Sequence, residues 1–278
     1  MKSMQHNRFL FVFTFLVGWG LVFLPSSLNA ADSRPSDMVK QAAQEAGRDA
    51  EYLFSSMLNP DKKSVATAAG LSAATGLLVL LDDDIQDLFQ KNQTGTLTDI
   101  GDFLKTIGSA RCVLLGNMAL LGAGYWFRDQ RTGNKLLRTA LVSTESQLFT
   151  EGITGLLKFM VGRKRPDKGE GKTSFKPFHG FDGSFPSGHA ARAFAVAAVF
   201  ADRYDHPAPL IAYSAATLIS ISRAYQNDHF ASDAFAGAAL GFAVGQALSR
   251  RHSKPDAKWA ILPFVSATSA GLAVRYAF

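Results

Sequence analysis

The feature that most restricts this chain is a succession of long stretches with almost no charge. Ser64–Leu81, Cys112–Phe127 and Leu210–Ser222 carry none, Ala190–Phe200 carries only Arg192, and an Ala/Gly-rich run continues to about Ser249. Each reads as a helix closed by charge or by a turn, as at Asp82–Asp84, Arg128–Arg131 and Asp205–Pro207. About 16 uncharged residues at 1.5 Å per residue give roughly 24 Å, just short of the ~20 residues that cross a bilayer comfortably. Gly237, Gly241 and Gly245, spaced four apart, let one helix approach another closely. The mean hydropathy is only +0.05, so any spans are short or rich in Ala and Gly. The expected fold is all-α, a helical bundle of about six core helices, membrane-embedded; a tightly packed soluble bundle is the alternative that the same pattern suits.

Other segments frame that bundle. Lys2 and Arg8, an apolar stretch from Phe9 to Leu24 and small residues at Leu28–Ala31 follow the order of a bacterial secretory signal. An uncleaved anchor is the alternative. This divides the chain into residues 1–30 as signal peptide or N-terminal anchor, 31–135 as the first helices of the bundle, 136–250 as its core and 251–278 as a tail. In the tail, Trp259–Ser266 and Gly271–Phe278 favour strand residues, which predicts a C-terminal β-hairpin. A single cysteine, Cys112, excludes an internal disulfide framework and a Cys-based zinc site. The three acids Asp82–Asp84 read as stopping the preceding helix and opening the next segment, rather than as metal ligands.

Charge is concentrated in one place. Lys158 to Lys176 holds seven bases against two acids, in a long Gly-containing loop that follows a helix over Leu136–Val161. Such a patch implies an anionic partner. Nucleic acid fits poorly with export and with the lack of a reader motif; a phosphate-bearing lipid or small phosphate ester fits better. Beyond the loop, Gly183–His189 reads as a polar turn opening a helix, with Pro186 in its first turn. Gly188 gives a ligand access to the backbone, and free N–H groups make an anion site. The next two helices form antiparallel hairpins, so Arg223 and His229 return to the level of His189 and the end of the preceding helix brings Lys158 and Arg165 there. His229 and Asp233, four apart, share a face if both lie on a helix. His206 falls at the far end of the helices and His252 in the basic tail, and both are expected to face solvent.

In order, then, the chain contains K-x-x-x-x-x-x-R-P at Lys158–Pro166, P-S-G-H at Pro186–His189 and S-R-x-x-x-x-x-H-x-x-x-D at Ser222–Asp233. This set resembles the type 2 phosphatidic-acid phosphatase superfamily, which includes bacterial class A acid phosphatases and vanadium haloperoxidases. The resemblance covers roughly Leu136 to Ser249. It implies that His229 attacks phosphorus to form a phosphohistidine, Asp233 orients it, and His189 protonates the departing alcohol. It further implies that Lys158, Arg165, Arg223, Ser187 and Gly188 hold the phosphate oxygens, with no metal and no cofactor. The expected activity is hydrolysis of a phosphomonoester or diphosphate on a lipid such as phosphatidic acid, a polyprenyl diphosphate or a lipid A phosphate, at the periplasmic face of a bacterial membrane. A non-specific periplasmic acid phosphatase and a catalytically silent lipid-phosphate binder are the alternatives.

Overall fold

The computed structural model describes residues 35–127, 130–253, 259–265 and 270–276. The expected signal or anchor, residues 1–30, lies outside the described residues. Eight helices are described: α1 (Pro35–Leu58), α2 (Lys62–Lys91), α3 (Gly95–Ile107), α4 (Ala110–Trp126), α5 (Arg131–Val161), α6 (Gly188–Arg203), α7 (Ala208–Tyr225) and α8 (Ala231–Ser253). Side-chain caps mark several starts. Asp61, Thr94 and Ser109 accept backbone N–H groups of Ser64, Leu97 and Cys112 at the heads of α2, α3 and α4. The tail forms the expected hairpin, β1 (Trp259–Val265) pairing antiparallel with β2 (Ala270–Tyr276), Trp259 opposite Tyr276.

The bundle is built around α6, which packs on α8, α7 and α5. Its small residues explain this: Ala190, Ala191, Ala195, Ala197, Ala198 and Val199 are all buried. The α8 glycines lie against α6 as the spacing predicts. A Cβ on Gly237, Gly241 or Gly245 would sit 2.4, 1.8 or 2.3 Å from the carbonyl oxygens of Ser187, Ala191 and Ala195. Steps of four on both helices keep these contacts in register, so the two backbones touch along their length. A small apolar cluster of Leu53, Val142, Val199, Val244 and Leu248 then joins α1, α5, α6 and α8.

Helix α5 buries many hydroxyl and amide groups alongside Leu137, Ala140, Val142 and Leu148. Ser143 Oγ donates to Asn117 Oδ1 at 2.9 Å, and the Asn117 amide donates to Gln147 Oε1 at 3.2 Å, tying α4 to α5. Helix α5 ends at Gly162, whose φ of +60° and close approach to the Lys176 carbonyl (1.9 Å from an added Cβ) admit only glycine.

Among the described residues, helix α2 alone has the length and apolarity to cross a membrane, and none of its apolar window is buried. The α3–α4 pair passes the same criterion together, with a bend of 56° between them. Asp82–Asp84 do not end the helix as the sequence suggests. Helix α2 runs on to Lys91 because Asp82 is drawn into the bundle as a buried ion-pair partner, so its charge does not require a break.

Candidate active site

Three polar segments meet at one end of the bundle: the loop after α5, the turn before α6, and the link between α7 and α8. The loop is fixed by backbone hydrogen bonds between Lys164 N–H and Ser174 O (2.9 Å) and between Lys176 N–H and Gly162 O (2.8 Å). The turn enters α6 one residue later than expected. Ser187 is the N-cap, Gly188 the first helical residue, and Pro186 precedes the cap with a cis peptide bond instead of occupying the first turn. Ser187 N–H donates to the Asp233 carbonyl at 2.9 Å, joining the head of α6 to the first turn of α8.

His229 is buried, with 3% of its surface exposed. It lies in the link just ahead of α8, so it does not share a helical face with Asp233 as the spacing suggested. Asp233 turns back to accept the Phe230 N–H (3.0 Å) at the head of the helix, a use of carboxylate that competes with side-by-side pairing. Ser184 joins the two residues. Its Oγ lies 3.2 Å from His229 Nδ1 and donates to Asp233 Oδ2 at 2.5 Å. Because the one hydroxyl proton goes to the carboxylate, Oγ accepts from Nδ1–H, and the lone pair of His229 is left on Nε2.

Behind Asp233 stands a group that the motif spacing did not reveal. Arg163, 2% exposed, donates through Nη1 to Asp233 Oδ1 (2.7 Å) and Ser232 Oγ (2.8 Å), and through Nη2 to Asp82 Oδ2 (2.8 Å). Its Nε donates to the Lys172 carbonyl, and its guanidinium covers the Phe230 ring at 4.2 Å. Asp82 also accepts the Ser232 N–H at 2.9 Å. Two buried carboxylates thus share one buried guanidinium, the arrangement in which each charge depends on the others.

The expected cations all reach this end. Lys158 Nζ donates to the carbonyls of Gly183 and Ser184. Arg165 donates to the Asp182 and Asp228 carbonyls at 3.3 and 3.4 Å. Arg223, 1% exposed, donates to Gln226 Oε1 (2.5 Å) and to Asp228. Asp228, which the motifs do not include, therefore holds two of the arginines. Ser187 Oγ and Arg223 Nε are buried without a hydrogen-bond partner among the described residues, which leaves one acceptor-donor and one donor for a ligand. Arg192 adds a further cation one turn into α6, paired with Glu151 and donating to the Gly108 carbonyl at 3.0 Å.

Helix α3 crosses this end of the bundle, another contact absent from the motifs. Gln226 Nε2 donates to Asp102 Oδ1 at 2.7 Å, Lys105 Nζ lies 3.6 Å from Asp228, and Gly108 leaves room for Ile219 and His189. Burial comes first among the forces that hold both histidines neutral. For His229 it is reinforced by Lys158, Arg165 and Arg223, and for His189 by Arg192, Arg223 and Arg165; both pKa values fall well below the ordinary histidine value. The arrangement offers a neutral imidazole with a free lone pair on Nε2, a second imidazole, and fixed cations gathered for an anion.

Residues 139–256 match the family model of the PAP2 superfamily. The chain is 30% identical over 194 residues to a lipid A 1-phosphatase of Porphyromonas gingivalis, covering 68% of this chain and 39% of that protein. It is 32% identical over 143 residues to phosphatidylglycerophosphatase B of Bacillus subtilis, covering 48% of this chain and 64% of that one. The chain thus spans less than two thirds of the length of either relative. It also superposes on the crystal structure of a transmembrane PAP2-type phosphatidylglycerolphosphate phosphatase from Bacillus subtilis. That match has a TM-score of 0.48 and 20% identity, over 67% of this chain and 97% of that one.

Proposed function

Residues 139–256 of this chain belong to the PAP2 superfamily, and on that premise we propose that the protein is a metal-independent phosphatase acting on a lipid phosphomonoester or diphosphate. The observation that carries this reading is the meeting of His229, His189, Lys158, Arg165 and Arg223 from separate segments at one end of the bundle.

In the proposed first step, His229 Nε2 attacks phosphorus. An N–P bond forms as the P–O bond to the lipid alcohol breaks, and His189 gives its proton to the departing oxygen. His189 is kept neutral by burial first and by the Arg192, Arg223 and Arg165 charges second; the dianion of the arriving phosphate offsets those charges, so the ring takes up the proton it then donates. Lys158, Arg165, Arg223, Ser187 Oγ and the Gly188 N–H hold the non-bridging oxygens, where transition-state charge is spread. Asp233, acting through Ser184, steadies the ring as it becomes positive. In the second step water attacks phosphorus, the N–P bond breaks, His189 takes the water proton, and inorganic phosphate leaves.

Two features support a lipid rather than a soluble ester. The exposed apolar run of α2 ends at Asp82, which reaches behind the nucleophile's carboxylate, so the site sits where an apolar belt meets water. Beside it, Phe175, Phe178 and Phe181 are exposed on the loop, as are Leu97, Ile100 and Phe103 on α3. Exposed apolar groups rimming a cationic pocket suit a substrate with its phosphate at a membrane surface. The named activities of the two relatives, on lipid A and on phosphatidylglycerophosphate, fall in this substrate class. With Lys2, Arg8 and the apolar stretch after them read as an export signal or anchor, the site faces the periplasm.

The test is a phosphate-release panel on the purified protein, comparing detergent-dispersed lipid A, phosphatidylglycerophosphate and phosphatidic acid with small soluble esters. Release from a lipid substrate at higher kcat/KM than from the soluble esters is expected. Equal rates on both overturn the lipid reading in favour of a non-specific acid phosphatase, and no release from either overturns the enzyme.

A further inference from the structure

At the other end of the bundle, three residues far apart in sequence converge where the reaction has no use for them. Glu145 lies about 20 Å along α5 from Lys158, and His252 about 28 Å along α8 from Asp233. Asp49 comes from α1. One ligand atom of each lies within 4.8 Å of the others. The expectation that His252 faces solvent is therefore wrong: its Nε2 is 3.0 Å from Glu145 Oε2 and 3.5 Å from Asp49 Oδ2. The helical tail beyond Ser249 carries it inward against α1, where a reading that ended the helix earlier left it free.

A simple ion pair does not account for the geometry. Despite those distances, His252 Nε2 makes no well-formed hydrogen bond to either carboxylate among the described residues. Glu145 is only 6% exposed, and its second oxygen, Oε1, also has no partner among the described residues. A buried carboxylate oxygen left unsatisfied is costly. Asp49 is 1% exposed and is additionally held by Arg251, which leans over the Tyr52 ring. The separations of 3.0 and 3.5 Å bracket the edge of about 3.3 Å expected between ligands of a tetrahedral ion with bonds near 2.0–2.1 Å. One imidazole and two carboxylates form an N/O donor set suited to zinc and similar divalent ions.

We infer that Asp49, Glu145 and His252 form a structural site for a divalent transition-metal ion, which clamps α1 onto α5 and α8. Its ligands span three helices that the chain brings together only on folding, so ion binding stabilises the fold. The ion lies too far from His229 to enter the reaction, and the inference stands or falls independently of the phosphatase reading.

The experiment strips the purified full-length chain with a chelator, dialyses it against zinc, and measures bound zinc by elemental analysis alongside thermal melting. The wild type is expected to retain one zinc more per chain than His252→Ala, and to bind it at least tenfold more tightly than Glu145→Gln or Asp49→Asn. Zinc should raise its melting temperature, while stripping leaves the initial rate of phosphate release unchanged. His252→Ala, at the half-buried ligand, serves if the variants at the two buried carboxylates fail to fold. No retained zinc, or equal retention in wild type and variants, overturns the inference and leaves a protonated His252 bridging two carboxylates.

Discussion

Removing one hydroxyl, in Ser184→Ala, is the sharpest probe of how the candidate nucleophile is held. Ser184 Oγ is the link between His229 Nδ1 (3.2 Å) and Asp233 Oδ2 (2.5 Å), and it is fully buried. Alanine keeps the size of the site but removes a hydrogen bond to a charged group, worth about 1.5–3 kcal/mol. It also leaves the buried Nδ1–H without an acceptor. If the link strengthens as the imidazole gains positive charge, the loss falls on the transition state. At 1.36 kcal/mol per tenfold, kcat should fall about 10- to 150-fold, with KM little changed. The assay is steady-state phosphate release from a dispersed lipid phosphate, with melting temperature as the check on folding. A Ser184→Ala protein that melts normally and keeps kcat within twofold, while Asp233→Asn is inactive, would refute the relay and mean that Asp233 acts on His229 directly.

Three further outcomes follow from the same geometry. Gly241→Ala puts a Cβ 1.8 Å from the Ala191 carbonyl and should cost about 1–3 kcal/mol of stability by forcing α6 and α8 apart; Gly152→Ala, with open space around it, is the control, and equal melting temperatures would contradict the close packing. Burial and the Lys158, Arg165 and Arg223 charges depress the His229 pKa, so the ring stays neutral as pH falls through 6.5. An unperturbed histidine would lose about eightfold of its neutral form between pH 7 and 5.5, and a fall of that size in kcat/KM, corrected for substrate ionisation, would count against the shift. Replacing Phe178 and Phe181 together by Ser should lower kcat/KM for vesicle-borne substrate several-fold and leave a soluble ester unaffected; a matching loss on both would mean that these rings shape the pocket instead of meeting the membrane.

Much of this was legible in the sequence because it depends on local spacing. The glycines at 237, 241 and 245 revealed a helix contact because steps of four stay on one face. Lys158, Arg165, His189, Arg223 and His229 could be placed together because hairpin geometry returns alternate helix ends to one level. What stayed hidden depends on contacts between distant segments. Asp82 looked like a helix stop, since nothing nearby in sequence announces that Arg163, 81 residues on, will neutralise it. Arg163 itself was one base among several in a basic loop, and its burial is invisible to composition. Ser184 was read only as the edge of a turn, and the i,i+4 spacing of His229 and Asp233 misled because the helix begins after the histidine. The hold of Asp228 on Arg165 and the contact of α3 with the site stayed hidden because they too join distant segments.

The central claim is that His229 carries the phosphoryl group between the two steps. Rapid quenching of the purified protein with a lipid substrate labelled in its phosphate, followed by peptide mapping, tests this directly. The expected result is an acid-labile, base-stable label on the peptide containing His229, which forms before free phosphate appears and is absent from an inactive but folded His229→Ala protein. A label on any other residue, or continued turnover by His229→Ala, would contradict it.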